Sequence, residues 1–131
     1  MVGIVIVSHS QKLAEGVVEL ARAMAKDVRI AAAGGLEDGT LGTSFQRIYD
    51  AIDEVYSEDG VAVLMDMGSA VMTTEMVLDD MEGRKIRMVD CPLVEGAVLA
   101  AVEAVTGSSL ETLADRSKDS YMTRKILEDE E

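Results

Sequence analysis

The chain has 131 residues, of which 12 are basic and 25 acidic, giving a net charge of −13 at pH 7. Binding to a phosphate backbone depends on Lys and Arg, so this balance excludes nucleic acid as a natural partner and disfavours an anionic membrane surface. The content of 48% hydrophobic and 28% charged residues suits one globular domain over 1–131, with a negative surface that attracts basic protein patches.

Aromatics make up 3% of the chain and Trp is absent, so the core has to be built from Val, Ile, Leu, Ala and Met. The one cysteine, Cys91, cannot close an internal disulfide. The amino terminus has no basic leader, and its apolar run is too short for a signal sequence or a membrane span. These features point to a reducing cytoplasm.

Val2-Gly3-Ile4-Val5-Ile6-Val7 is continuously apolar and β-branched, as a strand buried on both faces requires. Ser8-His9-Ser10 ends it, and Leu13, Val17, Leu20, Ala21 and Met24 then recur with helical period. Residues 28–33 read as a second strand, closed by Gly34-Gly35 and a polar, Gly-rich loop over 34–44. Phe45, Ile48, Ile52 and Val55 outline a second helix, and Asp59-Gly60 turns into a third strand over 61–65.

That strand ends at Asp66-Met67-Gly68-Ser69, and a Met-rich helix runs on to about Met81. Residues 86–89 give a fourth strand, stopped by Asp90-Cys91-Pro92. The next helix, over 94–105, places Val94, Ala97, Val98, Ala101, Val102 and Val105 on its apolar face. Ser108-Ser109-Leu110-Glu111 resembles a capping box that opens another helix. Residues 116–131 are expected to form a frayed tail or a terminal helix, with an acidic run at the end.

Strand and helix thus alternate four times. The expected fold is α/β: a doubly wound parallel sheet of four strands in the order 2-1-3-4, with helices on both faces. Ligands of such sheets sit beyond the carboxyl ends of the strands where the winding reverses, here strands 1 and 3.

The loop after strand 1 carries His9, the single histidine, and the loop after strand 3 carries Asp66. Neighbouring strands lie about 4.8 Å apart, within reach of a hydrogen bond between these side chains. A carboxylate on one ring nitrogen fixes the tautomer, frees the other nitrogen as a nucleophile and stabilises charge developing on the ring.

Ser10, Gly68 and Ser69 stand where helices begin, and such starts favour an anion. Gly42 and Thr43 in the Gly-rich loop offer close backbone approach and a hydroxyl. These five residues are the candidate phosphate-binding groups. No Gly-x-x-x-x-Gly-Lys-Ser/Thr pattern occurs, so this is not a nucleotide P-loop.

Each residue also has a plainer reading. His9 can be structural, Asp66 a helix N-cap, and 34–44 an ordinary surface loop. The methionines, Met65, Met67, Met72, Met76, Met81 and Met88, read as core filler. Cys91 reads as an inert buried thiol.

Three other functions of similar layer order or chemistry meet obstacles. A receiver domain needs an acidic cluster after strand 1. A phosphohistidine mutase needs a second histidine. A flavodoxin-like binding or regulatory module wants rings at the switch point, whereas Phe45, Tyr49, Tyr56 and Tyr121 lie elsewhere.

At these residues the chain resembles a known family. Gly3-Ile4-Val5-Ile6-Val7-Ser8-His9-Ser10 with Leu13-Ala14-Glu15-Gly16, then Gly42-Thr43-Ser44, Asp66-Met67-Gly68-Ser69-Ala70 and Pro92-Leu93-Val94-Glu95-Gly96 are similar to the phosphotransfer subunit of bacterial phosphoenolpyruvate-dependent dihydroxyacetone kinases. That subunit belongs to the mannose-class enzyme IIA group of the phosphotransferase system, and the likeness covers roughly the first 110 residues in unbroken motif order.

The resemblance implies that His9 takes a phosphoryl group from the phosphocarrier protein HPr and passes it to ADP on the nucleotide-binding kinase subunit. The ATP formed then phosphorylates dihydroxyacetone on a third subunit. It also implies that Asp66 orients His9 and that the subunit is a homodimer. Some members carry additional phosphocarrier domains, so a chain without them is expected to draw on separate proteins. Neither transfer calls for a cofactor or metal on this chain. Sugar-transport members of the mannose class share the fold, and the residues around His9 and after Asp66 favour the kinase branch.

Overall fold

A computed structural model describes residues 1–127. Four strands, β1 (Gly3–Ser8), β2 (Ile30–Gly34), β3 (Val61–Met65) and β4 (Ile86–Met88), form one all-parallel sheet in the order β2-β1-β3-β4. Between and after them run α1 (Gln11–Met24), α2 (Phe45–Val55), α3 (Ser69–Asp80), α4 (Leu93–Val105) and α5 (Leu110–Lys118). The expected class and strand order are therefore those of the molecule.

All six residues of β1 are buried, as its place between β2 and β3 demands. Side chains alternate between the two faces of a strand. Ile4 and Ile6 accordingly join one core with α1, α4 and α5, while Val5 and Val7 join another with α2 and α3. Burying each of these side chains contributes roughly 1.5–3 kcal/mol. At the β2 edge, the Arg22 guanidinium donates to the Ile30 carbonyl at 3.0 Å and that of Arg47 to the Gly34 carbonyl at 3.1 Å. Acceptors that would otherwise invite another strand are thereby covered.

Two helical faces differ from the expected ones. In α1 the buried residues are Ala14, Val17, Val18 and Ala21, while Leu13, Leu20 and Met24 are exposed. In α4 they are Gly96, Ala97, Ala100, Ala101 and Ala104, while Val94 and Val102 are exposed. Hydropathy ranks Val and Leu above Ala, but close approach decides here. A methyl group on Gly96 would overlap Cys91 Sγ, and one on Gly34 would stand 2.8 Å from Ala14 Cβ. The small-residue faces are those on which these helices can press against their neighbours.

The methionine reading also needs correction. Met81 is buried, but Met67 in the loop before α3 faces solvent, as do Met72 and Met76, because α3 buries Ala70, Thr74 and Val77 instead. From residue 116 the chain continues α5 to Lys118 and then forms a 3₁₀ segment, Asp119–Met122. The acidic run expected to fray, residues 128–131, lies outside the described residues. Among those described, no helix is long and apolar enough to cross a membrane.

Candidate functional site

The parallel register of β1 and β3 pairs Val7 with Met65. The Asp66 amide continues the ladder by donating to the Val7 carbonyl at 3.1 Å. The chains diverge just beyond, which sets Ser8-His9-Ser10 beside Asp66. The two residues are 57 positions apart in sequence, and the winding reversal makes them neighbours.

Asp66 Oδ1 lies 3.0 Å from His9 Nδ1. Its other oxygen, Oδ2, accepts from the His9 backbone N–H at 3.0 Å and from the Ser8 hydroxyl at 2.9 Å. Burial opposes ionisation of Asp66, but the His9 N–H, the Ser8 hydroxyl and the His9 ring outweigh it and hold the carboxyl below its ordinary value. An ionised carboxylate only accepts, so the proton between these groups belongs to Nδ1. In the neutral ring, Nε2 then carries the lone pair.

Ser69, the first residue of α3, places its hydroxyl oxygen 2.8 Å from Nε2. The ring is thus held at both nitrogens, by a carboxylate on one side and by a hydroxyl at a helix start on the other. His9 retains 23% side-chain exposure against 11% for Asp66. The ring is thus partly open to a partner, while the carboxylate behind it is largely covered. The amino-terminal end of α3 carries positive partial charge toward the ring.

The remaining candidates hold the frame. The Gly42 amide donates to the His9 carbonyl at 2.9 Å, fixing the histidine backbone. The Thr43 hydroxyl pairs with that of Thr73 at 3.0 Å, tying the Gly-rich loop to α3. Ser10 is the N-cap of α1, its hydroxyl accepting from the Leu13 N–H at 3.1 Å. Gly68 is the N-cap of α3 without a side-chain bond. Asp66 therefore does not cap α3, and its carboxylate serves His9.

Ser8 was not among the residues singled out from the sequence. It is fully buried, donates to Asp66 and accepts from the Ser10 amide at 3.0 Å. The signal was a hydroxyl at the end of an otherwise apolar buried strand, where a polar group has to find a partner.

A cleft of about 420 Å³ opens beside Asp66 between the ends of β3 and β4, with Met67, Val71, Met88, Cys91 and Tyr121 in its wall. Burial first, then the Asp90 charge, push the Cys91 thiol up to about 12, which keeps it protonated and inert. Tyr121 donates to Asp90 at 2.6 Å. Phe45 and Tyr49 stack on each other in α2, with ring centroids 6.2 Å apart. No group of three or more potential metal ligands occurs among the described residues.

Residues 3–114 match the EIIA-man family model, described as PTS system fructose IIA component. A relative from Lactococcus lactis subsp. lactis, "PTS-dependent dihydroxyacetone kinase, phosphotransferase subunit DhaM", is 39% identical over 114 residues, covering 87% of this chain and 91% of that protein. A Pantoea ananatis relative, "PEP-dependent dihydroxyacetone kinase, phosphoryl donor subunit DhaM", is 43% identical over 122 residues, or 88% of this chain. The chain spans 26% of the length of that second protein.

Among solved structures, a protein of unknown function superposes with a TM-score of 0.79 at 32% identity, covering 90% of this chain and 93% of the other. A sigma-54 interaction domain protein from Enterococcus faecalis, at 19% identity and a TM-score of 0.73 over 92% and 90% of the two chains, shares the fold. With the match running through all four strands and both loops that hold the histidine and its carboxylate, the chain belongs to the EIIA-man family.

Proposed function

We propose that this chain is the phosphocarrier subunit of a phosphoenolpyruvate-dependent dihydroxyacetone kinase, acting in the cytoplasm as a homodimer. His9 Nε2 is the phosphoacceptor. The observation that carries the reading is the line Asp66–His9–Ser69, which leaves a lone pair on the exposed ring nitrogen and a carboxylate behind the other.

In the first half-reaction Nε2 attacks the phosphorus of phosphorylated HPr. The P–Nε2 bond forms as the P–N bond to the donor breaks, and that electron pair returns to the donor's ring. Nδ1 keeps its proton, so the phosphorylated His9 ring is cationic, and the Asp66 carboxylate 3.0 Å away stabilises it. Ser69 releases the lone pair and turns its hydroxyl to a phosphoryl oxygen. In the second half-reaction the β-phosphate of ADP, held on the nucleotide-binding subunit, attacks phosphorus. Nε2 recovers its lone pair as ATP leaves, and that ATP phosphorylates dihydroxyacetone on the third subunit.

Support comes from the site geometry together with the dihydroxyacetone-kinase names of the similar proteins. The family description, a fructose IIA component, favours a second reading. In it the same His9 chemistry feeds a sugar transporter, and only the acceptor differs.

The test is reconstitution with labelled phosphoenolpyruvate, enzyme I and HPr. The chain takes up acid-labile, alkali-stable label, and His9→Ala folds normally but takes up none. Unimpaired labelling of that variant would falsify the assignment. Discharge of the label to ADP with the nucleotide-binding subunit selects the kinase, and discharge to a sugar-transport acceptor selects the transporter.

A further inference from the structure

The backbone of His9 is held by a loop that has no regular structure of its own. Near the two ends of the Gly-rich loop, the Gly35 amide donates to the Ser8 carbonyl at 3.1 Å and the Gly42 amide to the His9 carbonyl at 2.9 Å. Residues 35–44 belong to no helix or strand, and Gly35, Gly39 and Gly42 have positive φ, so no regular ladder of hydrogen bonds fixes their path. Whatever braces this loop also sets the place of the His9 backbone.

Arg47 supplies the brace. From the first turn of α2 its half-buried side chain reaches back to the loop. Nη1 donates to the Gly34 carbonyl at 3.1 Å and to Gln11 Oε1 at 3.3 Å, and Nη2 donates more distantly to the Glu37 carbonyl at 3.5 Å. One guanidinium thus joins the end of β2, the loop and the start of α1. The Arg47 N–H also reaches the Ser44 hydroxyl at 3.1 Å, and that hydroxyl donates to the Glu37 carboxylate. A rigid planar fork can serve acceptors on three segments at once, which a single ammonium cannot match.

Covering the β2 edge needs less than this. Arg22 covers the opposite end of the same strand with one bond, to the Ile30 carbonyl at 3.0 Å. We infer that Arg47 is a positioning residue for phosphoryl transfer: it braces the Gly-rich loop so that Gly35 and Gly42 hold the Ser8 and His9 backbone, and with it the imidazole, in line with the incoming phosphorus. The inference rests on His9 being the phosphoacceptor. Arg47 acts through the loop and not on the phosphoryl group itself. Alignment of this kind is steep in distance, since a displacement of about 1 Å can cost on the order of 10²-fold in rate.

The test uses the full chain, with phosphorylated HPr as a protein donor and phosphoramidate as a small one. In Arg47→Ala the saturating transfer rate is expected to fall roughly tenfold or more with both donors, while the half-saturating HPr concentration changes little. The Gly42 amide, followed by NMR, is expected to exchange its hydrogen faster as the loop loosens. Arg22→Ala uncovers the other end of the same edge and is the matched control. It is expected to keep the wild-type rate and the wild-type Gly42 exchange, whatever its melting temperature. Arg47→Lys, which keeps the charge without the fork, is expected to fall between Arg47→Ala and wild type in both readouts.

A wild-type saturating rate in Arg47→Ala overturns the inference, as does an equal rate loss in Arg22→Ala, which would make the effect one of general stability. A loss seen with HPr but not with phosphoramidate, or confined to half-saturation, also overturns it, because Arg47 would then be a contact with the donor. Unchanged Gly42 exchange beside a lowered rate removes the loop as the route. If Arg47→Ala does not fold, Arg47→Lys decides: a lowered rate with faster Gly42 exchange supports the brace, and a wild-type rate overturns it. Labelling of the wild-type chain by neither donor overturns the phosphoacceptor reading beneath the inference.

Discussion

Asp66 grips His9 at two points with separate oxygens: Oδ1 meets the ring at Nδ1 and Oδ2 accepts the backbone N–H, each at 3.0 Å. The ring's rotation and the position of its backbone are thus fixed by one carboxylate. Asp66→Asn preserves shape but can put an amide donor opposite Nδ1. The ring then keeps its lone pair at Nδ1 and carries its proton on Nε2, the exposed nitrogen. Phosphoryl transfer from HPr is expected to slow on the order of 10²-fold or more, with the fold intact. Nitrogen NMR of the ring should show the change of tautomer, and an unchanged rate would leave Asp66 a purely structural group.

The same contacts make stability depend on pH in a defined direction. The Asp66 carboxyl titrates below its ordinary value in the folded chain, so folding favours the charged form. Its contribution is complete above the unfolded value, about 3.9, and fades as pH falls through the lower folded value. The melting-temperature difference between wild type and Asp66→Asn should shrink as pH falls below about 4, and a gap that widens in that acid range contradicts the sign.

Ser8→Ala removes a donor to Asp66 and the acceptor of the Ser10 amide, both within a part-buried network. The expected loss of stability is about 1–3 kcal/mol. The transfer rate should fall less than in Asp66→Asn, because the His9 N–H and ring still hold the carboxylate. Urea unfolding together with the labelling rate checks both halves; a rate loss equal to that of Asp66→Asn would make Ser8 the dominant orienting contact.

The contrast between what the sequence conveyed and what it did not follows from physical scale. β1 was legible because a strand covered on both faces has to be apolar throughout, and His9 with Asp66 followed from the strand order. The buried faces of α1 and α4 were not. Hydropathy is read residue by residue, while α4 turns inward the face of Gly96, which meets Cys91 too closely for a side chain, and leaves Val102 exposed with Ala101 buried. The exposure of Met72 and Met76 escaped for a related reason, since an apolar residue on a surface looks like core until a neighbouring element fails to cover it. Ser8 was hidden because the partner that its buried hydroxyl requires lies 58 positions away.

Ser69 touches Nε2 of His9, the nitrogen proposed to accept the phosphoryl group, so on that reading its removal should affect the chemical step rather than docking. Ser69→Ala is expected to lower the saturating transfer rate roughly 10-fold, with the half-saturating donor concentration unchanged. Ser69→Thr, which restores a hydroxyl, should recover part of the rate. A change confined to half-saturation would move Ser69 from the reaction to the docking surface.

Gly96 offers a test of why the small-residue face of α4 is the buried one. A methyl group there overlaps Cys91 Sγ and stands 2.9 Å from Cys91 Cβ, so Gly96→Ala should cost about 1–3 kcal/mol through overpacking. Cys91→Ala removes the sulfur and leaves a small void, itself destabilising. If the overlap is the cause, the double variant is more stable than the sum of the single losses, with a coupling of about 0.5–3 kcal/mol. Strict additivity in urea unfolding would place the cost of Gly96→Ala in the helix backbone instead. Because the Cys91 thiol is pushed up to about 12, it should resist alkylation at pH 8 in wild type. In Gly96→Ala the displaced sulfur should react faster, a change that an effect confined to the backbone would not produce.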